Sequence, residues 1–144
     1  MDFYKIMWLN YFIGYYNFLA FYEKDDCAVY TIATAFCIPY VIAHQYLERN
    51  GRKFKKGYKE WDFLMDGLEN EKLVKRLPMK EYRRYYRYKK KYCFMTIDTF
   101  LKTHPNGKYI ITTSGHVVTI RDGVLYDRFD SKKYRIQYAH KILN

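Results

Sequence analysis

Cys27, His116 and two nearby aspartates, Asp127 and Asp130, are the residues whose types and order allow covalent chemistry. A cysteine is a nucleophile as its thiolate, and it needs an adjacent base to keep it in that form. A histidine acting as that base needs a carboxylate to hold its ring in one tautomer. The chain supplies Asp25-Asp26-Cys27, then Ser114-Gly115-His116, then Asp127-Arg128-Phe129-Asp130. Such a set is suited to acyl transfer through a thioester, and that chemistry requires no metal and no organic cofactor.

The elements that must position these groups are legible in outline. Asp25 and Asp26 are good helix caps, and Cys27 to Phe36 follows with Ala28, Ile32, Ala35 and Phe36 broadly on one face. That places Cys27 in the first turn, where unpaired amides and the positive end of the helix dipole favour a thiolate. The two aspartates partly oppose it, so a cationic histidine partner would have to outweigh them. Pro39 restarts the chain into a second helix, Tyr40 to Arg49, closed by Asn50-Gly51. The stretch 57–92 reads as mainly helical, with an interruption at Leu77-Pro78.

From Thr96 a short helix runs to Lys102 and ends at His104-Pro105-Asn106-Gly107. The period then changes to two. Lys108–Thr113, His116–Arg121 and Val124–Phe129 are expected strands, separated by Ser114-Gly115 and by the hairpin signal Asp122-Gly123. A two-residue turn there sets His116 opposite Phe129, with Asp127 on the same face one pair away. One extra residue in the turn would instead set Asp130 opposite His116. Pairing arithmetic favours Asp127. A helical half followed by an antiparallel meander is an α+β arrangement, and 144 residues fit one domain, 1–144.

Composition narrows the setting. Hydrophobic residues are 49% and aromatics 21%, enough for a sizeable core. Three cysteines with wide spacing argue against a disulfide framework or a zinc site. Cys37 and Cys93 are expected to be inert core thiols, and His44, His104 and His140 have no partner pattern. The uncharged run Ile6 to Tyr22 contains Asn10, Gly14 and Asn17, so a buried segment is expected there rather than a signal or a spanning helix. The expected location is the cytoplasm. The net charge is +11, of which about +8 falls between Glu71 and Tyr92, with ten lysines and arginines against two glutamates. In that stretch Arg83, Arg84, Arg87, Lys89, Lys90 and Lys91 are interleaved with tyrosines, a pattern that suits nucleic acid or an acidic partner and equally a solvated helix.

Two segments carry a resemblance. Asp26-Cys27-Ala28-Val29-Tyr30-Thr31-Ile32-Ala33-Thr34-Ala35 resembles the nucleophile helix of small papain-like cysteine-peptidase-fold proteins of phages and prophages. The run Phe100 to Ile110, the strand Ser114-Gly115-His116-Val117-Val118, the turn Asp122-Gly123 and the pair Asp130-Ser131 look like the histidine half of that fold. The resemblance covers roughly 25–51 and 96–132 and leaves the basic middle as a helical insert around 71–92. It implies a papain-like fold, helical half packed on a C-terminal antiparallel sheet, with Cys27, His116 and Asp130 as the triad. It also implies a thiol hydrolase acting on a protein or peptide-like substrate in the host cytoplasm. One departure is that Leu19 to Asp26 holds no amide side chain to assist the oxyanion, Asn17 being the nearest. That departure favours the alternative of a catalytically silent scaffold that binds nucleic acid or a host protein through its basic segment.

Overall fold

The computed structural model describes residues 25–53 and 56–143; the uncharged N-terminal run expected to be a buried segment lies outside them. Helix α1 is Cys27–Phe36, α2 Tyr40–Arg49 and α3 Trp61–Asn70; strand β1 is Val74–Arg76. After a single 3₁₀ turn at Met79–Glu81 come β2 (Arg83–Tyr86), β3 (Lys91–Phe94) and α4 (Ile97–Thr103). The last four strands are β4 (Lys108–Thr113), β5 (His116–Arg121), β6 (Val124–Tyr126) and β7 (Ile136–Ile142). Helices followed by an antiparallel sheet make the chain α+β, as expected.

Five strands form one antiparallel sheet in the order β1-β7-β4-β5-β6, and β2-β3 stand apart as a two-stranded ribbon. Successive strand residues point to opposite faces, so the sheet serves two cores. Ile110, Val117 and Ile142 pack with Val29, Ile32, Leu47, Trp61 and Met65 from α1, α2 and α3. Ile111, Val118, Ile120 and Ile136 pack on the other face with Ile97 and Phe100 of α4 and with Tyr82. Among the described residues no single helix is long and apolar enough to cross a membrane.

The expected boundaries of α1, α2, β4 and β5 are met, but β6 ends at Tyr126 and not at the expected Phe129, so Asp127 lies just beyond the strand. α1 ends where Cys37 turns left-handed at φ +53°, and Gly51 at φ +98° follows α2. Thr96 caps α4, its hydroxyl accepting from the Thr99 N–H at 3.3 Å. Both residues of the Asp122-Gly123 turn have positive φ, +49° and +78°, as a type I′ hairpin turn requires.

The stretch 71–92 is not helical: beyond α3 it runs through β1 and a 3₁₀ turn into the β2–β3 ribbon. Its arginines, lysines and glutamates are good helix formers, but its tyrosines favour a pleated surface. The ribbon is closed by a four-residue loop, Arg87 to Lys90, with Lys90 left-handed at φ +51° and without the glycine or asparagine that would announce a turn. Strand β7 was also not foreseen. Buried on both faces beside β4, its sequence Ile-Gln-Tyr-Ala-His-Lys-Ile lacks a clean alternation.

Candidate functional site

Helix α1 lies across β5 and is fixed there by two buried threonines. The Thr31 hydroxyl donates to the Val117 carbonyl at 3.0 Å, and the Thr119 hydroxyl donates to the Thr31 carbonyl at 2.9 Å. Thr31 is one helical turn beyond Cys27, and Val117 adjoins His116, so this reciprocal pair sets the axial position of the helix against the strand. A buried hydroxyl without its partner would cost about 1–3 kcal/mol, so sliding α1 along the sheet is disfavoured. Cys27 is thereby held beside the first residue of β5.

His116 stands between a sulfur and a carboxylate. Its Nε2–H donates to Asp127 Oδ2 at 2.7 Å, and the Cys27 sulfur lies near enough to act on the imidazole. With Nε2 engaged by Asp127, Nδ1 is the ring nitrogen left for Cys27. Burial alone would pull the imidazolium down, but the hydrogen bond to Asp127, the nearby Cys27 sulfur and the charge on both push His116 up to about 9. Burial would raise the Asp127 carboxyl; the bonds from His116 and Ser131, the imidazolium charge and the Arg128 N–H together hold it below its usual range. Phe129 stacks on the His116 ring at 4.7 Å between centroids, and Tyr134 meets it edge-on at 5.8 Å. These rings leave the His116 side chain only 10% exposed and restrict its rotation.

The carboxylate on His116 is Asp127, which corrects the implied assignment to Asp130. The β5–β6 register, Thr119↔Tyr126 to Arg121↔Val124, is that of a two-residue turn; the ladder ends there, and Phe129 reaches the His116 ring from the segment that follows. Asp127 also accepts the Ser131 hydroxyl at 2.6 Å, and Ser131 is fully buried. Asp130 instead accepts the Lys132 N–H at 3.1 Å.

The expected aspartate cap is likewise absent. Asp26 precedes α1 but makes no side-chain cap bond. Its buried carboxylate accepts the Tyr40 hydroxyl at 2.7 Å and pairs with Arg128 Nη2 at 2.7 Å. Arg128 also sits over the rings of Tyr30 and Tyr40, so the 127–130 loop is clamped to the start of α1. The Asp26 charge that would oppose a thiolate is matched by this guanidinium. Asp25, at φ +51°, provides the sharp turn into the helix.

Two cavities meet at Cys27, His116, Gly57 and Gly115. One, of about 310 Å³, is lined also by Tyr58, Trp61, Thr112 and Gln137; its wall is braced by Trp61 Nε1–H donating to Thr112 Oγ1 at 2.9 Å. The other, of about 360 Å³, runs past Asp25, Tyr30, Asp127 and Phe129. Together they form the two sides of a cleft with the cysteine at its centre.

Gln137 was missed by sequence reasoning. The β4–β7 register shifts between Thr112, opposite Tyr138, and Thr113, opposite Ile136, which leaves Gln137 as the extra residue of a β-bulge. Bulges re-aim a side chain off the pleat. Gln137 is the one carboxamide, among the described residues, that lines either cavity. A sequence signal for it would have required knowing that 136–142 is a strand.

The other cysteines are not core thiols: Cys37 is exposed, with Arg121 Nη1–H directed at its sulfur, and Cys93 is half-buried in the ribbon. Arg83, Arg84, Arg87, Lys89, Lys90 and Lys91 lie on the ribbon and its loop, all exposed, and are not among the cleft-lining residues. Among the described residues no three histidine, cysteine or acidic side chains converge to hold a metal ion. Compared with known proteins, the chain matches no family model, no curated protein and no solved structure.

Proposed function

We propose that the chain is a papain-like thiol hydrolase that cleaves an amide, isopeptide or related acyl bond, and that it works in the cytoplasm of a phage-infected host. The observation that carries this reading is an imidazole, hydrogen-bonded to a buried carboxylate, that lines the same open cleft as a helix-terminal cysteine. Cys27, as thiolate, attacks the carbonyl carbon, and the electron pair moves to oxygen. His116, as imidazolium, gives its proton to the departing amine as the tetrahedral intermediate collapses to a thioester. Neutral His116 then takes a proton from water, the hydroxide displaces the thiolate, and the acid product leaves. Asp127 keeps Nε2 protonated and so points the other nitrogen at sulfur throughout.

The oxyanion needs donors that an upstream amide would ordinarily supply. In this reading the Cys27 backbone N–H at the start of α1 is one donor and the bulge-borne Gln137 carboxamide is the other. In the same reading an extended peptide-like chain would occupy the two cavities that flank Cys27.

Alkylation by iodoacetamide at pH 6, read cysteine by cysteine by mass spectrometry, tests the pair. Cys27 should label at least about ten-fold faster than Cys37 and Cys93, and His116→Ala should remove that advantage. Cys37 is the stringent control, because it is the more exposed thiol and has Arg121 beside it. Labelling of Cys27 no faster than Cys37 would end the hydrolase reading.

A further inference from the structure

The β2–β3 ribbon sorts its side chains in a way that a helix would not. Directly opposed residues share a face, so Arg83 with Phe94 and Tyr85 with Tyr92 form one surface, and Arg84 with Cys93 and Tyr86 with Lys91 form the other. On the first surface Tyr85 is 47% exposed, Tyr92 61% and Phe94 37%, and Tyr88 in the connecting loop is 78% exposed. The Tyr85 and Tyr92 rings lie 5.2 Å apart, and the Arg83 guanidinium sits 5.3 Å from the Tyr92 centroid. Six cations and no acidic residue lie between Arg83 and Lys91.

The ribbon is also firmly held at its base. Tyr82 is buried in the core beneath the sheet, the Met95 N–H donates to the Tyr82 carbonyl at 2.8 Å, and Arg135 Nη1–H donates to the Phe94 carbonyl at 2.7 Å. A rigid ribbon presenting a contiguous aromatic surface to solvent is costly to leave uncovered, which marks it as a contact surface.

We propose that this ribbon is a binding platform for single-stranded nucleic acid, separate from the Cys27 cleft. Exposed tyrosine faces stack on unpaired bases, and the surrounding lysines and arginines neutralise the phosphates between them. A duplex hides its base faces and would leave the rings nothing to stack on. An acidic protein segment would satisfy the cations through its carboxylates, which do not stack on the tyrosines, whereas a single strand brings a planar base with every phosphate. Charge and aromatic exposure together therefore select the single strand.

The test is fluorescence anisotropy of the full chain with a labelled oligothymidylate of about 16 nucleotides, with a duplex of equal length and polyglutamate as competitors. Binding should fall steeply with salt, and each cation removed from the ribbon by change to glutamine should reduce the log–log slope by about 0.7. Tyr85→Ala or Tyr92→Ala should weaken binding by roughly 5- to 150-fold, while Tyr85→Phe, which keeps the ring, should preserve it. Both positions are exposed, and unchanged melting of the variants separates lost stacking from lost folding. Absence of salt-sensitive binding, equal competition by duplex or polyglutamate, or indifference to both tyrosine changes would each overturn the proposal. None of these readouts depends on Cys27, so the platform and the hydrolase reading fail separately.

Discussion

Replacing Asp127 by asparagine separates the carboxylate that touches His116 from the one the family resemblance implied. Asp127 accepts three donors: His116 Nε2–H at 2.7 Å, the Ser131 hydroxyl at 2.6 Å and the Arg128 N–H at 2.7 Å. Asparagine keeps the shape but has one acceptor oxygen, so its NH₂ must face at least one of these donors. Stability should fall by about 1–3 kcal/mol, toward the lower figure because the Arg128 N–H is near solvent and can turn to water. The larger effect is on charge. Loss of a carboxylate in direct contact should lower the His116 midpoint from about 9 by roughly 1–3 pH units. It should not fall by the full amount attributable to both neighbours, since the Cys27 contact persists. The assay is an NMR titration of the Hε1 proton in histidine-labelled protein, which has four histidines to assign. Asp130→Asn is the comparator and should leave the midpoint in place, because that carboxylate bonds Lys132. An unmoved midpoint in Asp127→Asn, or an equal shift in Asp130→Asn, would refute the assignment of the carboxylate.

Two further outcomes follow from the same groups. Stability should peak near pH 6.5: His116, raised to about 9, gives stabilisation that is full below 6.5 and is lost as pH rises through 9, at most about 3 kcal/mol. On the acid side His140, buried with both ring nitrogens unpartnered among the described residues, is held below its ordinary value by burial, so acid favours the unfolded chain. Urea midpoints from pH 5 to 10 check both limbs, and His116→Gln should flatten the alkaline one. Asp26→Ala strips the partner from the buried Tyr40 hydroxyl and from Arg128; it should cost roughly 1–3 kcal/mol in chemical denaturation and slow Cys27 alkylation by loosening the 127–130 loop.

The local elements around the cleft were legible because each carries its own chemistry. Asp122-Gly123 specifies a hairpin whatever surrounds it, and that turn length already favoured Asp127 over Asp130 by pairing arithmetic. The family resemblance pulled the other way, and the register decided against it. Thr96 and Asn50-Gly51 likewise mark helix ends by local hydrogen bonding and backbone freedom. The ribbon was illegible because its turn lacks glycine, asparagine and proline, and because charged residues and tyrosines suit both helix and strand.

By itself the sequence determined the α+β order, the placement of Cys27 at a helix start and of His116 at a strand start, and a shortlist of two aspartates. Those depend on spacings and turn residues that act within a few positions. Only the tertiary structure decided that Asp127 meets His116, that Asp26 binds Arg128 instead of capping α1, and that Gln137 reaches the cleft. Each of these joins groups from different elements, and their meeting is set by sheet order, bulge position and the threonine contacts that fix α1 on β5. A linear pattern carries no distance across a sheet.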